Sequence, residues 1–216
     1  MTEIVLVRHG QANRHATDEA GYDQLSDLGR CQAGWLGAWL GETDPHFDRV
    51  ITGTLFRQRQ TAEAMGHKNC QMDPRLNELS YFALAQALEA QYGIPAPCDA
   101  TEFARYLPEV IAHWAQGRLT DIPESFDQFS DRISALIEEV CTGHGRVLLV
   151  TSGGVIGMVL RQVLGLDEAG MAKVMLGTMN SSVHRLNHVH GTLMLGGFNA
   201  TPHLDAPDRV HARTFI

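Results

Sequence analysis

Two short runs, Ile4-Val5-Leu6-Val7 and Val147-Leu148-Leu149-Val150, contain no polar residue. A strand with one wet face alternates polar and apolar positions. A strand that is apolar throughout is buried on both faces, which is the habit of parallel strands covered by helices. The stretches between and after these runs supply such helices. Ser26 is placed to cap a helix over about 28–40, and 57–65 reads as a second helix, stopping at Gly66. Phe126, Phe129, Ile133, Leu136, Ile137 and Val140 recur at the 3.6-residue period, and 155–164 follows the turn Gly153-Gly154.

Further strands are expected at 47–52, 70–72, 181–189 and 192–198, the last two joined at His190-Gly191. Residues 11–24 are polar and read as a loop. Residues 79–123 read as helical, broken at Pro95, Pro97 and Pro108. The alternation predicts a three-layer α/β/α sandwich with a mostly parallel sheet. Residues 1–216 form a single domain in this reading, with an inserted helical cap at about 79–123. The cap's aromatic residues, Phe82, Tyr92, Phe103, Tyr106 and Trp114, are expected mostly in its own core, although some of them are candidates to shape a pocket.

Composition excludes several classes. A net charge of −8 argues against nucleic acid, which demands a basic footprint. It leaves room for a small anion, because a few arginines can override the global field locally. No apolar run approaches a membrane span, and no basic stretch followed by an apolar one opens the chain, so neither a membrane nor a leader is expected. Cys31, Cys70, Cys98 and Cys141 show no CxxC spacing and are expected to be reduced thiols in a cytoplasmic protein. Monomer and homodimer remain open.

The chemistry gathers at strand ends. Arg8-His9-Gly10 leaves the first apolar run, at the edge where open α/β sheets bind ligands. A guanidinium can grip phosphate bidentately, an imidazole can attack phosphorus, and a glycine lets an anion approach the backbone. Arg57 follows the strand 47–52 and offers a second cation; Arg59 reads as a solvated helix residue. Glu78, after Leu76-Asn77, is a carboxyl group able to protonate a leaving oxygen, or else a surface carboxylate. Gln11 is placed either to touch substrate or to close the loop.

Taken together, these segments resemble the histidine phosphatase, or phosphoglycerate mutase-like, superfamily. The matching motifs are Arg8-His9-Gly10-Gln11, Leu25-Ser26-x-x-Gly29-Arg30-x-Gln32-Ala33, Leu55-x-Arg57-x-x-x-Thr61-Ala62, Leu76-x-Glu78 and Val147 to Gly154. They run in the family's order from residue 3 to about 165. The resemblance implies that His9 becomes a phosphohistidine, that Arg8 and Arg57 bind phosphoryl oxygens, and that Glu78 acts as acid and then base. It implies a phosphatase acting on a small phosphorylated substrate, with no cofactor and no metal. The continuation Leu79-Ser80-Tyr81-Phe82 lacks the basic, tyrosine-glycine wording of mutases, so water is the expected acceptor.

The pattern breaks at Thr151-Ser152-Gly153, where the family normally reads Thr-His-Gly. A serine hydroxyl donates a hydrogen bond but adds no charge. Three readings stay open. Ser152 and the amides of Gly153 and Gly154 complete the phosphate pocket; or another histidine, such as His15, restores the charge, with Asn13 nearby as a further contact; or the protein binds phosphoesters and turns them over poorly, as a regulatory binder would. Ser152 lacks the G-x-S-x-G elbow of a serine hydrolase. His184, His188 and His190 share a strand face by period-two counting, which suggests a metal site or, more simply, a solvated face.

Overall fold

In the computed structural model, which describes residues 1–13, 16, 18–44 and 46–215, the two apolar runs lie side by side as parallel strands. The chain runs β1 (Thr2–Arg8), α1 (Glu19–Tyr22), α2 (Asp27–Thr43), β2 (Arg49–Thr52), α3 (Phe56–Ala64), β3 (Gln71–Met72), α4 (Tyr81–Tyr92) and α5 (Ala100–Ala115). It continues through α6 (Phe126–Thr142), β4 (Gly145–Thr151), α7 (Gly153–Leu164), α8 (Glu168–Gly177), β5 (Val183–Val189) and β6 (Thr192–Ala200). The sheet order is β3-β2-β4-β1-β5-β6. The first four of these strands are parallel, while β5 and β6 pair antiparallel.

Each face of the sheet carries its own core. Val5, Val7, Leu148 and Val150 pack with Ala33, Leu36 and Leu40 of α2 and with Ala62 of α3. Ile4, Leu6, Val147 and Leu149 point the other way and pack with residues from α4 to α8, including Leu88, Ile111, Phe129, Ile156 and Met171. The strict alternation of these neighbours between two buried faces is why neither run tolerates a polar residue.

Register positions the site. Arg8 pairs with Thr151 and Thr52 with Val150, so β1, β4 and β2 end at one edge. The next residues extend the ladder, with His9 N–H donating to Thr151 O at 2.8 Å and Gly53 N–H to Val150 O at 3.1 Å. Chain segments that start at residues 9, 53 and 152 therefore emerge together.

Some expectations change. Pro108 does not break a helix but sits within α5. Tyr106, Leu107, Val110, Ile111 and Trp114 are buried on either side of it, and that burial outweighs one lost backbone bond. The segment 11–24 is not all loop, since α1 lies within it. Helix α8, capped by Asp167, was not expected from its sequence; its apolar pattern is weak, and its contact with α7 depends on Gly157, where a Cβ would sit 2.7 Å from Met175. Gly153 and Gly154 are the first residues of α7 rather than a turn before it. Gly41 lies inside α2, which runs on to Thr43. No helix among the described residues is long and apolar enough to cross a membrane.

Buried histidines make stability depend on pH, among them His184 and His203. Burial pushes His184 down to about 3 and His203 down to about 4. Both folded values lie below the unfolded value, so their contribution is complete above about pH 6.5 and is lost as pH falls toward those values. Each histidine then removes about 1.4 kcal/mol per pH unit in that window. The urea midpoint is expected to drop between about pH 7 and pH 5, and His203→Gln is expected to flatten that slope by about one proton's worth. An unchanged slope in His203→Gln would rule this assignment out.

Candidate active site

At the shared strand edge, His9 is 1% exposed, Arg57 1% and Ser152 0%. Arg8, Gln11 and Gly153 are also buried, and Glu78 is half-buried. The His9 ring Nδ1 lies 2.7 Å from the Gly10 carbonyl oxygen. A carbonyl only accepts, so Nδ1 carries the proton and Nε2 keeps its lone pair. Burial holds the imidazole pKa well below its ordinary value, and the Arg57 and Arg8 charges push it the same way.

The loop after His9 is braced on several sides. Gly10 N–H donates to Thr61 Oγ1 at 3.1 Å, and Gln11 N–H donates to Gln32 Oε1 at 2.7 Å. Gln11 Oε1 accepts from Ser26 Oγ at 2.9 Å, so its carboxamide oxygen serves loop closure. A Cβ on Gly10 would lie 2.3 Å from Gly29 O. Gly10 is thus required by the approach of α2 rather than by an anion.

The arginines are buried with unused donors. Arg8 donates through an Nη to Thr178 O, yet its Nε is buried without a partner among the described residues. Burial lowers the Arg8 pKa, with Tyr22 and Glu78 acting against it. Arg57 donates to Asp23 Oδ1 at 3.0 Å and lies 5.0 Å over the Tyr22 ring, and its Nε is likewise buried and unpartnered among the described residues. Buried charged donors call for acceptors, and two beside one imidazole describe an anion pocket. Arg59, expected to be solvated, is half-buried over Phe56.

Asp23 is one of the residues that sequence reasoning missed. Its carboxylate accepts from the backbone N–H of Phe56 at 2.8 Å and of Arg57 at 3.1 Å, as well as from the Arg57 side chain. It thus caps α3, whose own N-cap, Leu55, has no side-chain acceptor. No spacing rule links residue 23 to residue 57.

Glu78 reaches the site through α7. Its Oε2 accepts from Gly154 N–H at 3.0 Å, and its Oε1 accepts from Leu79 N–H at 3.0 Å. The Gly154 amide expected to face an anion is therefore used by Glu78. Ser152 Oγ accepts from Gln58 Nε2 at 2.8 Å, which leaves the serine's own hydrogen to donate. A Cβ on Gly153 would lie 3.6 Å from the Arg8 guanidinium, so this position flanks the pocket.

His15 lies outside the described residues. His184, His188 and His190 do not form a ligand set. His184 is buried between Ser182 and Asn199, and His190 lies beyond the end of β5 at a positive φ of 52°. Among the described residues, no group of three His, Cys, Asp or Glu side chains is arranged to hold a metal ion. Of the cap aromatics, Tyr106 and Trp114 are buried, Phe82 and Phe103 half-buried, and Tyr92 exposed.

Comparison with known proteins identifies the family. Residues 4–201 match the histidine phosphatase superfamily (branch 1), and the chain belongs to that family. It is 30% identical over 179 residues to a metal-independent phosphoserine phosphatase of Arabidopsis thaliana, covering 79% of this chain and 72% of that one. It is 27% identical over 168 residues to a broad-specificity phosphatase of Saccharomyces cerevisiae, covering 73% and 68%. Among solved structures, a phosphoserine phosphatase variant of Entamoeba histolytica in complex with phosphoserine superposes with a TM-score of 0.69 at 18% identity, over 94% of this chain and all of that one. The native mycobacterial glucosyl-3-phosphoglycerate phosphatase superposes with a TM-score of 0.64 at 25% identity, over 92% and 98%. The chain is accordingly a phosphatase, a hydrolase of phosphomonoesters.

Two measurements check the geometry. The His9 ring C–H signals are expected to show no NMR titration midpoint near pH 6.5, where a free imidazole titrates; a midpoint there would contradict the buried, neutral ring. A Cβ on Gly154 would fall 2.1 Å from Glu78 Oε1. Gly154→Ala is therefore expected to displace Glu78 and lower kcat/KM by about 10²-fold with folding retained.

Proposed function

We propose that this chain hydrolyses a small phosphomonoester through a phosphohistidine at His9. The observation that supports it best is the neutral, buried His9, with its proton on Nδ1, beside two arginines whose Nε donors have no partner among the described residues. In this reading Nε2 attacks phosphorus, and the bond to the leaving oxygen breaks. Arg8 and Arg57 hold the phosphoryl oxygens while charge redistributes in the transition state. Glu78 gives its proton to the departing alcohol. In the second half, Glu78 takes a proton from water, whose oxygen bonds to phosphorus as the phosphorus–nitrogen bond breaks and frees His9.

Ser152 donates its hydroxyl hydrogen to a phosphoryl oxygen in this scheme, with Gln58 holding the oxygen in place. Gly153 flanks the pocket, and Gln11 keeps its loop closed. With serine at position 152 and no second pocket histidine placed among the described residues, this reading favours slow turnover, since one charge-assisted contact is worth about 10²–10³ in rate. That same feature supports a second reading, a weakly active phosphatase that serves chiefly as a phosphoester-binding regulatory protein. No cofactor, metal, nucleic acid or membrane enters either reading, and both suit a cytoplasmic monomer or homodimer.

Single-turnover hydrolysis of an aryl phosphate separates the two readings. The wild type is expected to release the alcohol in a burst with phosphate retained on His9, detectable by mass spectrometry after an alkaline quench. His9→Ala is expected to abolish the burst, and Ser152→Ala to slow it by about 10²-fold. Hydrolysis that survives His9→Ala would remove the nucleophile assignment. Vanadate binding with only weak wild-type turnover would favour the binder.

A further inference from the structure

The short segment that carries Glu78 is held more firmly than a connecting loop requires. The carbonyl oxygens of three successive residues before Glu78 all accept from side chains of distant elements. Arg75 O accepts from Arg132 Nη1 at 2.6 Å, and Asn77 O accepts from Arg132 Nη2 at 2.8 Å. Between them, Leu76 O accepts from Gln58 Nε2 at 2.9 Å and from Thr151 Oγ1 at 2.7 Å. The Asn77 side chain closes a two-way bond with Thr54, accepting from its N–H and donating to its Oγ1, both at 2.7 Å.

Arg132, on α6, differs from the other members of this set. Gln58 also reaches Ser152, Thr151 lies in β4, and the Asn77–Thr54 bond is exposed. Arg132 spans two flanking carbonyls with one edge of its fork and grips Glu124 with the other. Its Nε lies 2.7 Å from Glu124 Oε1, and its Nη2 lies 3.0 Å from Glu124 Oε2. Its plane lies 4.6 Å over the Phe129 ring, and its side chain is 19% exposed. Glu124 is itself tied to α5, because its carbonyl oxygen accepts from Trp114 Nε1 at 2.9 Å. Only a planar guanidinium can serve two carbonyls and a carboxylate at once; a lysine is a single point of charge.

We propose that Arg132 is a positioning residue for proton donation by Glu78, fixing where its carboxyl group meets the leaving oxygen. The inference rests on the reading of Glu78 as the general acid. A substrate with a poor leaving group needs that proton in the transition state, whereas one with a good leaving group scarcely does. Loss of Arg132 therefore discriminates between substrates. A merely structural residue would lower both together.

The test compares kcat/KM for ethyl phosphate and para-nitrophenyl phosphate in the wild type, Arg132→Lys, Glu78→Gln and the double variant. Arg132→Lys is expected to lower the ethyl phosphate value by about 10–10²-fold and to change the nitrophenyl value by less than about threefold, given what a small misplacement of a catalytic group costs. In the Glu78→Gln background, Arg132→Lys is expected to add no further selective loss. Glu124→Gln, which keeps the arginine but loosens its grip, is expected to act in the same direction and serves if Arg132→Lys fails to fold. Equal losses on both substrates, or none, would overturn the proposal while leaving the acid assignment intact. If Glu78→Gln itself fails to discriminate between the substrates, the acid assignment falls, and the role of Arg132 falls with it.

Discussion

Two guanidiniums buried against one imidazole are the constraint around which the rest of this structure is arranged. Unpaired charge in a protein interior is costly, and two like charges near each other add to the cost. The fold answers with carboxylates and dipoles rather than by expelling the arginines. Asp23 meets Arg57, Glu78 lies within electrostatic reach of Arg8, and the Thr178 carbonyl accepts from Arg8. His9 contributes by staying neutral. Its Nδ1–H is used by Gly10 O, and its neighbours disfavour a second proton. The balance leaves the Nε of Arg8 and of Arg57 without a partner among the described residues, and an incoming phosphoryl group would satisfy them.

Such a site works only if its parts do not move relative to one another, because a misplacement of about 1 Å can cost 10²-fold in rate. Rigidity comes from sheet register first. The ends of β1, β2 and β4 are fixed by ladder bonds that continue past the last paired residue. It comes next from close backbone approach, since a Cβ on Gly10 would fall 2.3 Å from Gly29 O and one on Gly29 would fall 2.1 Å from Gln11 O. It comes last from side chains that bridge segments far apart in sequence. Gln32 accepts from Gln11 N–H and donates to Ala212 O and Thr214 Oγ1, which joins the loop after His9 to the segment that holds residues 212 and 214.

The sequence is legible where local rules govern. The two apolar runs announce buried parallel strands, and the periodicity of α6 announces a helix, because burial on two faces or on one stripe writes a repeating pattern. Arg8, His9, Arg57 and Glu78 were readable because each follows a strand or a proline turn, and topology sends those positions to one edge. Asp23, Gln58 and Arg132 were not readable. Each acts at a distance through hydrogen bonds to backbone atoms, and a backbone partner imposes no residue type at the other end. Helix α8 escaped for a different reason. Its contact with α7 uses small residues and methionines, which do not produce a strong period.

Ser152 is tied into the site by a neighbour that the sequence does not point to. The buried Gln58 carboxamide lies against its hydroxyl, with Nε2 2.8 Å from Ser152 Oγ. Gln58 uses both amide hydrogens, one on Ser152 Oγ and one on Leu76 O, and so joins this position to the segment that carries Glu78. Gly53 makes room for that carboxamide, since a Cβ there would fall 1.9 Å from Gln58 Oε1. Gln58 is neutral and burial keeps His184 unprotonated, so neither adds positive charge beside Arg8 and Arg57. In the proposed reading, stabilisation of a transferring group would depend correspondingly more on how well those two guanidiniums and the Ser152 hydroxyl are aimed, which is a demand on rigidity rather than on charge.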